Sequence, residues 1–446
     1  MSVIGRTVPS VRRSSVLDAV VAVLLVGAVA FAGWSRLTPL VRRTMWAEDA
    51  GLFLQQRVDE GAVVTWFLPY DGYLHLLPRI LTDVVVAVTP DDQHGLGTTI
   101  VSLGTAGLVA ALVYLVTAQT VSSRVARAAL ALTPVVTPMA ALEALGNTAN
   151  LHWFFLAAVP FVLAWDPAGR IGRTVRSAVL VLIVLSEVQA VVFAPVAAAL
   201  LWRRRRRELV PFVAYGLAVA AQLVAVATSP RVRGDAPPVD PLNVLLGFVA
   251  EPVMGSYASP GRTADLLTSD QGLLVAVLAT LPFVVALALA LSAPRHPRVV
   301  VALASLYGIV VIWTVDLVLN PTVVLDFVGE GMGVTGAMGY ARYALVPSML
   351  LLSLGVLAAD RLWALRRWWS IGLAALALVG LAVVVARQFE PYTWTRAAGP
   401  DWAASWAVAE ATCALDTAAT VKVASAPVNW GLVITCEDLL GPGLDG

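Results

Sequence analysis

Residues 16–34 read VLDAVVAVLLVGAVAFAGW, and residues 42–79, which follow almost at once, read RRTMWAEDAGLFLQQRVDEGAVVTWFLPYDGYLHLLPR. The first run is close to the ~20 apolar residues that a helix needs to cross roughly 30 Å of hydrocarbon. The second carries the adjacent carboxylates Glu48 and Asp49 and two aromatic-rich turns, then re-enters apolar sequence through Tyr73, His75 and Arg79. A greasy span followed by a compact polar loop sets the pattern for the whole chain.

Working outward, further apolar runs fall at 97–119, 127–143, 150–165, 177–202, 209–229, 271–293, 299–319, 340–359 and 368–387, with partial segments at 74–89 and 243–257. The chain has 446 residues, of which 59% are hydrophobic and 13% charged, and its mean hydropathy is +0.81. A water-soluble protein of this size has nowhere to hide so much apolar surface. The expected fold is an all-α polytopic membrane protein of about 11–13 membrane segments in a lipid bilayer. The charges cluster in loops, so the net charge of +1 carries no implication of nucleic-acid binding.

Arg6, Arg12 and Arg13 precede the first span, which by the positive-inside rule places the N-terminus in the cytoplasm and the loop at about 35–73 outside. Arg36, Arg42 and Arg43 follow the span with no small-residue cleavage site, so it reads as a retained helix in the cytoplasmic membrane rather than a signal peptide. Arg124 with Arg127, Arg170 with Arg173 and Arg176, the run RRRRR at 203–207, PRHPR at 294–298, and Arg361 with Arg366 and Arg367 mark the cytoplasmic turns. Keeping that parity requires 74–89 to begin and end outside, as a re-entrant or surface element. It also requires 177–202 to be two half-length helices meeting near the outer face, since one continuous helix buries Glu187 at mid-membrane. The loop 230–242 is polar and Pro-rich. The tail 389–446 then lies outside, as a small cap of helix and strand on a membrane domain spanning 1–388. Its Cys413 and Cys436 can pair as a disulfide there or stand as two free thiols.

In this topology the polar residues inside or beside apolar segments gather on one side: Glu48, Asp49, Tyr73, His75, Arg79, Glu143, Asn147, Asn150, His152, Glu187, Gln189, Asp316, Asn320, Arg342 and Tyr343. Ionisable groups near hydrocarbon are costly and tend to face a cavity. Glu48 and Asp49, adjacent on a helix, point about 100° apart, so one can act while the other pairs with an Arg or caps the helix. Their plain alternative is a pair of solvated acids at a helix N-terminus. Trp46, Ala50, Phe53 and Leu54 share one face of an amphipathic helix, with Asp49, Gln56 and Glu60 elsewhere. His75 and Arg79 are four apart and share a helical face, with Pro78 favouring a helix start between them. A guanidinium binds two phosphate oxygens at once, although an Arg at this depth can equally snorkel to headgroups. In GNTANLHW, Asn147 and Asn150 are placed to present two amides, unless the stretch is an ordinary cap and turn. Arg342 and Tyr343 open a span after the Gly-rich GEGMGVTGAMGYARY, as an anion clamp or a boundary pair. There is no GxxxxGK[ST] phosphate loop, no HExxH, and only scattered His, so no cofactor is implied. A divalent ion on Glu48 and Asp49 is the one metal arrangement left open.

These stretches, WAEDAGLF after the first span, GYLHLLPR, GNTANLHW and ARYALVP, resemble in their order and sidedness the GT-C superfamily of integral-membrane glycosyltransferases, over roughly residues 15–388. The resemblance implies a sugar donor carried on polyprenyl phosphate and a glycan, lipid or protein acceptor at the outer face. It implies an inverting transfer with Asp49 as general base, Glu48 as second choice, and Arg79, His75, Arg342 and Tyr343 at the donor phosphate. Tyr73, Asn147, Asn150, His152 and Glu187 are then candidates for substrate contact. A transporter of lipid-linked glycans and a non-catalytic envelope assembly protein are the competing classes. The absence of repeated halves counts against a transporter.

Overall fold

A computed structural model describes residues 15–204, 209–229, 240–258, 260–293, 296–320, 325–328, 342–389, 391, 396–441 and 444. Arg6, Arg12, Arg13, Arg205–Arg207, most of the Pro-rich loop, part of PRHPR and the Gly-rich stretch before Arg342 lie outside these residues. The chain is mostly helical. Seven helices among the described residues are long and apolar enough to cross a membrane, and two shorter apolar helices, Ala149–Ala164 and Val188–Arg203, lie between them. The protein is a multi-pass helical membrane protein.

Helix α1 (Ser15–Ser35) packs antiparallel on α4 (His94–Val116). A Cβ at Gly107 of α4 would lie 2.6 Å from the Val26 carbonyl oxygen, so only glycine allows the two backbones to come this close. At one end of the pair Asp18 accepts hydrogen bonds from Tyr114 at 3.0 Å, Arg124 at 3.0 Å and Arg127 at 3.1 Å. At the other end, buried Arg36 donates to the carbonyls of Val135 at 2.7 Å, Thr137 at 2.9 Å and Pro138 at 2.7 Å. Those carbonyls are exposed because the run expected as one span at 127–143 is broken. Helix α5 (Arg124–Val136) stops ahead of Pro138, and a single turn, α6 (Ala140–Glu143), resumes.

Between α1 and α4, a π-helical turn (Asp49–Leu54) leads into α2 (Gln55–Glu60). Strand β1 (Pro69–Tyr70) then pairs with β2 (Tyr73–Leu74) through an Asp71-Gly72 turn in which both residues have positive φ. Helix α3 (Leu76–Val88) follows, 13 residues and therefore about 20 Å long, too short to span. Both of its ends lie at the Arg36 end of the bundle. It starts at His75, and its far end packs through Val85 and Thr89 against Gly97 at the head of α4. Helix α3 therefore starts and ends at the same end of the bundle and does not cross it.

Helix α7 (His152–Ala164) is buried on every side, and its last carbonyls, Val162 and Leu163, are capped by Arg176 of α8 (Arg170–Ser186). Helix α8 ends at Glu187, whose extended backbone breaks the run before a 3-10 turn (Val188–Phe193) and α9 (Ala194–Arg204). The two-half-helix reading of 177–202 holds. Helix α10 (Leu209–Thr228) returns to the Arg36 end. Helices α11 (Pro241–Phe248), α12 (Pro260–Leu267), α13 (Gly272–Leu291), α14 (Arg298–Leu319), α15 (Arg342–Ala364) and α16 (Trp368–Arg387) complete the bundle. The chain closes with α17 (Trp402–Cys413), the antiparallel pair β3 (Thr420–Ala424) and β4 (Gly431–Thr435), and the turn α18 (Cys436–Leu439). Cys413 and Cys436 form a disulfide. This unit is not a detached cap: it shares one hydrophobic cluster with Met45, Ala50, Leu54 and Val86.

Removing the Arg36 guanidinium takes a donor from three buried carbonyls, of which Thr137 keeps the Ala140 amide at 3.1 Å, and each buried group left unpaired costs about 1–3 kcal/mol. Arg36→Ala is expected to lower stability by about 3 kcal/mol or more, measured by thermal unfolding in detergent, with Arg36→Lys intermediate. Wild-type stability in Arg36→Ala would show that the broken span does not need this clamp.

Candidate functional site

A cavity of about 610 Å³ opens at the Arg36 end of the bundle. Its walls come from the first loop (Glu48, Phe53), the hairpin (Tyr70 to Tyr73), His75, the turn before α7 (Ala149, Asn150, His152, Trp153), the α8–α9 break (Glu187 to Gln189), α10 (Leu223, Val226), the end of α14 (Leu319, Asn320) and the start of α15 (Arg342, Tyr343). Most of the polar residues picked out in the sequence converge here from six separate segments.

Glu48 and Asp49 diverge, as adjacent helical residues must. Glu48 faces the cavity, with one carboxylate oxygen accepting from the Tyr70 hydroxyl at 3.4 Å and the other buried without a hydrogen-bond partner among the described residues. Asp49 turns away. It is 1% exposed, does not line the cavity, and accepts from the Thr148 hydroxyl at 2.5 Å, the Thr148 amide at 3.1 Å and the Ala149 amide at 2.9 Å. Assigning Asp49 to the reacting position is therefore corrected: its carboxylate is spent on the turn that carries Asn150 and His152. Burial pushes its pKa up to about 6, against the pull of the Thr148 and Ala149 hydrogen bonds and with a smaller upward push from Glu48. The two carboxylates do not face one another as a shared ion site.

His75 lines the cavity at 2% exposure, and neither ring nitrogen has a hydrogen-bond partner among the described residues. Burial, with smaller contributions from His152 and Arg79, holds it well below the usual histidine range, so it is neutral. It belongs to a run of rings with Tyr73 at 4.4 Å and His152 at 5.3 Å, continued by His152 to Trp153 at 4.4 Å and Trp153 to Tyr343 at 6.2 Å between centroids. Arg79 does not join it. The helix starts one residue after His75, whose backbone is non-helical, so the expected shared face is lost. The Arg79 guanidinium lies behind the wall, over the Phe53 ring at 5.1 Å and donating to Gln56 at 2.6 Å. Its placement at a donor phosphate is corrected accordingly.

Asn147 is likewise structural: its amide donates to the Glu143 carbonyl, and its side-chain oxygen accepts from the Asn150 amide at 2.9 Å. Asn150 does line the cavity, while donating to Glu143 at 3.3 Å and accepting from Trp153 at 3.2 Å. His152 is held through Nδ1 by one oxygen of Glu187, whose other oxygen accepts from the Gln189 amide at 2.7 Å. Gln189 in turn donates to Asp316, and its own side-chain oxygen has no partner among the described residues. Arg342 is braced from behind by Glu143 at 3.7 Å and lies 5.3 Å from the Tyr343 ring.

Tyr70, Asp71 and Trp153 are wall residues that sequence reading did not single out. The signal for the first two was present: Asp-Gly between Tyr70 and Tyr73 marks a two-residue hairpin, and residues directly opposite in such a pair share a face. Trp153 closes the stretch GNTANLHW, in which sequence reading gave it no role of its own. Among the described residues no group of three or more His, Cys, Asp or Glu is arranged to hold a metal ion. Comparison of the chain with protein-family models, curated proteins and solved structures returns no match.

A folded-state pKa above the unfolded value means that Asp49 adds stability most fully below the unfolded value, near pH 4, and that this is lost as pH rises through about 6. The stability advantage of wild type over Asp49→Asn is thus expected to shrink between pH 4 and pH 7, as followed by thermal unfolding. A gap that widens with pH contradicts the buried, weakly ionised Asp49.

Proposed function

We propose that this chain is an inverting glycosyltransferase that moves a sugar from a polyprenyl-phosphate donor to a hydroxyl acceptor, with Glu48 as general base. The observation that carries the reading is Glu48 itself, a carboxylate with one unpaired buried oxygen facing a cavity that also holds Arg342 and His152. A base must be within hydrogen-bond reach of the proton it takes; Glu48 meets the cavity and Asp49 does not.

In this scheme the acceptor hydroxyl gives its proton to Glu48 as its oxygen attacks the anomeric carbon. The bond from that carbon to the donor phosphate oxygen breaks, and the phosphate leaves with the electron pair. Negative charge grows on the leaving oxygen, so a positioned guanidinium and imidazole stabilise the transition state more than the ground state. Arg342, braced by Glu143, and His152, oriented by Glu187, supply them. The ring-lined wall suits a sugar, whose C–H face packs on aromatic surface while its hydroxyls reach Asn150, Gln189 and His75. Leu223 and Val226 of α10 line the cavity and are also exposed on the apolar exterior of the bundle, a path along which a lipid tail can leave the site.

Glu48→Gln is expected to lower transfer about 10²–10⁴-fold with donor KM little changed. Asp49→Asn, which keeps one acceptor oxygen for the 148–149 turn, is expected to lower transfer far less than Glu48→Gln. Both are measured by complementing a gene deletion and by assaying purified protein with labelled polyprenyl-phosphate sugars. Full activity in Glu48→Gln overturns the assignment of the base. Loss of one envelope sugar in the deletion strain, with its lipid carrier persisting, identifies the substrate.

A further inference from the structure

The C-terminal unit contributes no residue to the cavity wall among the described residues, yet it is bonded to the back of the segment that carries Glu48. The Ala426 amide donates to the Met45 carbonyl at 3.1 Å, and Ala426 forms a parallel bridge with Trp46, two residues before Glu48. The Val433 amide donates to Gln55 at 2.7 Å on the far side of the same turn. Between these two points Trp430 packs into a small cluster with Trp46, Ala47, Phe53 and Ala149, which flank Glu48 or form the cavity wall itself. The fit is close: a Cβ at Gly51 would lie 2.8 Å from the Trp430 ring. Buried Arg396 ties in the opposing turn, donating to Leu145 at 2.7 Å, Gly146 at 3.2 Å and Val41 at 3.0 Å. The unit itself is closed by the Cys413–Cys436 disulfide, which joins the end of α17 to the end of β4, both sulfurs fully buried.

We propose that residues 396–441 are a positioning element for Glu48: the β3–β4 hairpin, stapled by Cys413–Cys436 and seated through Trp430, fixes the first loop so that its carboxylate is held in the cavity. The π-helical turn 49–54 is a rare, single-turn element, and it is held from outside on two sides. On one side Asp49 bonds the 148–149 turn; on the other the hairpin supplies main-chain pairing. The unit thus acts through Glu48 and touches no substrate. This inference rests on the proposed transfer reaction for its catalytic consequence, though not for the clasp itself.

The test uses the full chain in nanodiscs. Wild type, Trp430→Ala, Trp430→Phe, the Cys413→Ser/Cys436→Ser pair and a control, Leu362→Ala, which opens core space at the opposite end of the bundle, are compared by hydrogen-exchange mass spectrometry over residues 44–56 and by kcat and KM for sugar transfer. Expected are faster exchange in 44–56 and a kcat lowered about 10- to 100-fold, the loss that a misplacement near 1 Å produces. KM should stay within about 2-fold, as a positioning role requires. These changes are expected in Trp430→Ala and the Ser pair, with recovery in Trp430→Phe and no change over 44–56 in Leu362→Ala. If the Ser pair does not fold, Trp430→Ala carries the test. Unchanged exchange over 44–56 in a folded Trp430→Ala overturns the clasp, whatever the activity; faster exchange with unchanged kcat overturns its catalytic role. Faster exchange in a protein whose wild type transfers no sugar leaves the clasp standing and removes the glycosyltransferase reading instead.

Discussion

A buried carboxylate between two loops holds the working end of this molecule together. Asp49 accepts from Thr148 and Ala149, and in doing so joins the segment after α1 to the turn before α7. That contact ties the two segments of the cavity wall to each other. Glu48 is aimed into the cavity because its neighbour is committed elsewhere, and Asn150 and His152 hang from the turn that Asp49 fixes. Three donors on one carboxylate offset much of the cost of burying it, and the remaining cost is visible as a raised pKa.

The same economy of buried polar groups runs through the bundle. Arg36 satisfies the carbonyls freed where α5 breaks, Arg176 those at the end of α7, and Arg396 those of the turn at Leu145 and Gly146. In an apolar medium an unpaired carbonyl is costly, so each of these three interruptions is matched by a long cationic side chain that reaches it. Unpartnered buried polar atoms occur elsewhere too, as at both carboxylate oxygens of Glu251, but among the described residues Glu48, His75 and Gln189 each carry at least one on the cavity wall. All three residues face the same cavity, where a ligand can meet them.

The C-terminal unit supports the first loop from behind. Its hydrophobic cluster incorporates residues of the first loop, so neither part has a complete core alone. A split core of this kind couples the ends of the chain across most of its length and places the disulfide outside the cavity it supports.

How much was legible in the sequence follows the range of each interaction. Apolar runs, the positions of Arg between them and the cost of a carboxylate at mid-membrane are properties of short stretches. They determined the helical membrane fold, the break at Glu187, the non-spanning path of 74–89 and the crowding of polar residues at one end of the bundle. The divergence of Glu48 and Asp49 was legible too, because 100° per residue is a local rule. Which of the two faces the cavity was not, since that depends on Thr148 and Ala149, about a hundred residues away. Arg79 and Asn147 were misplaced for the same reason: the non-helical His75 backbone and the Glu143 carbonyl that turn them aside belong to the assembled structure. The Cys413–Cys436 bond was one of two readings until the hairpin brought the sulfurs together. Local periodicity chose the elements; burial and long-range hydrogen bonding, which exist only once the elements pack, chose the residues that meet in the cavity.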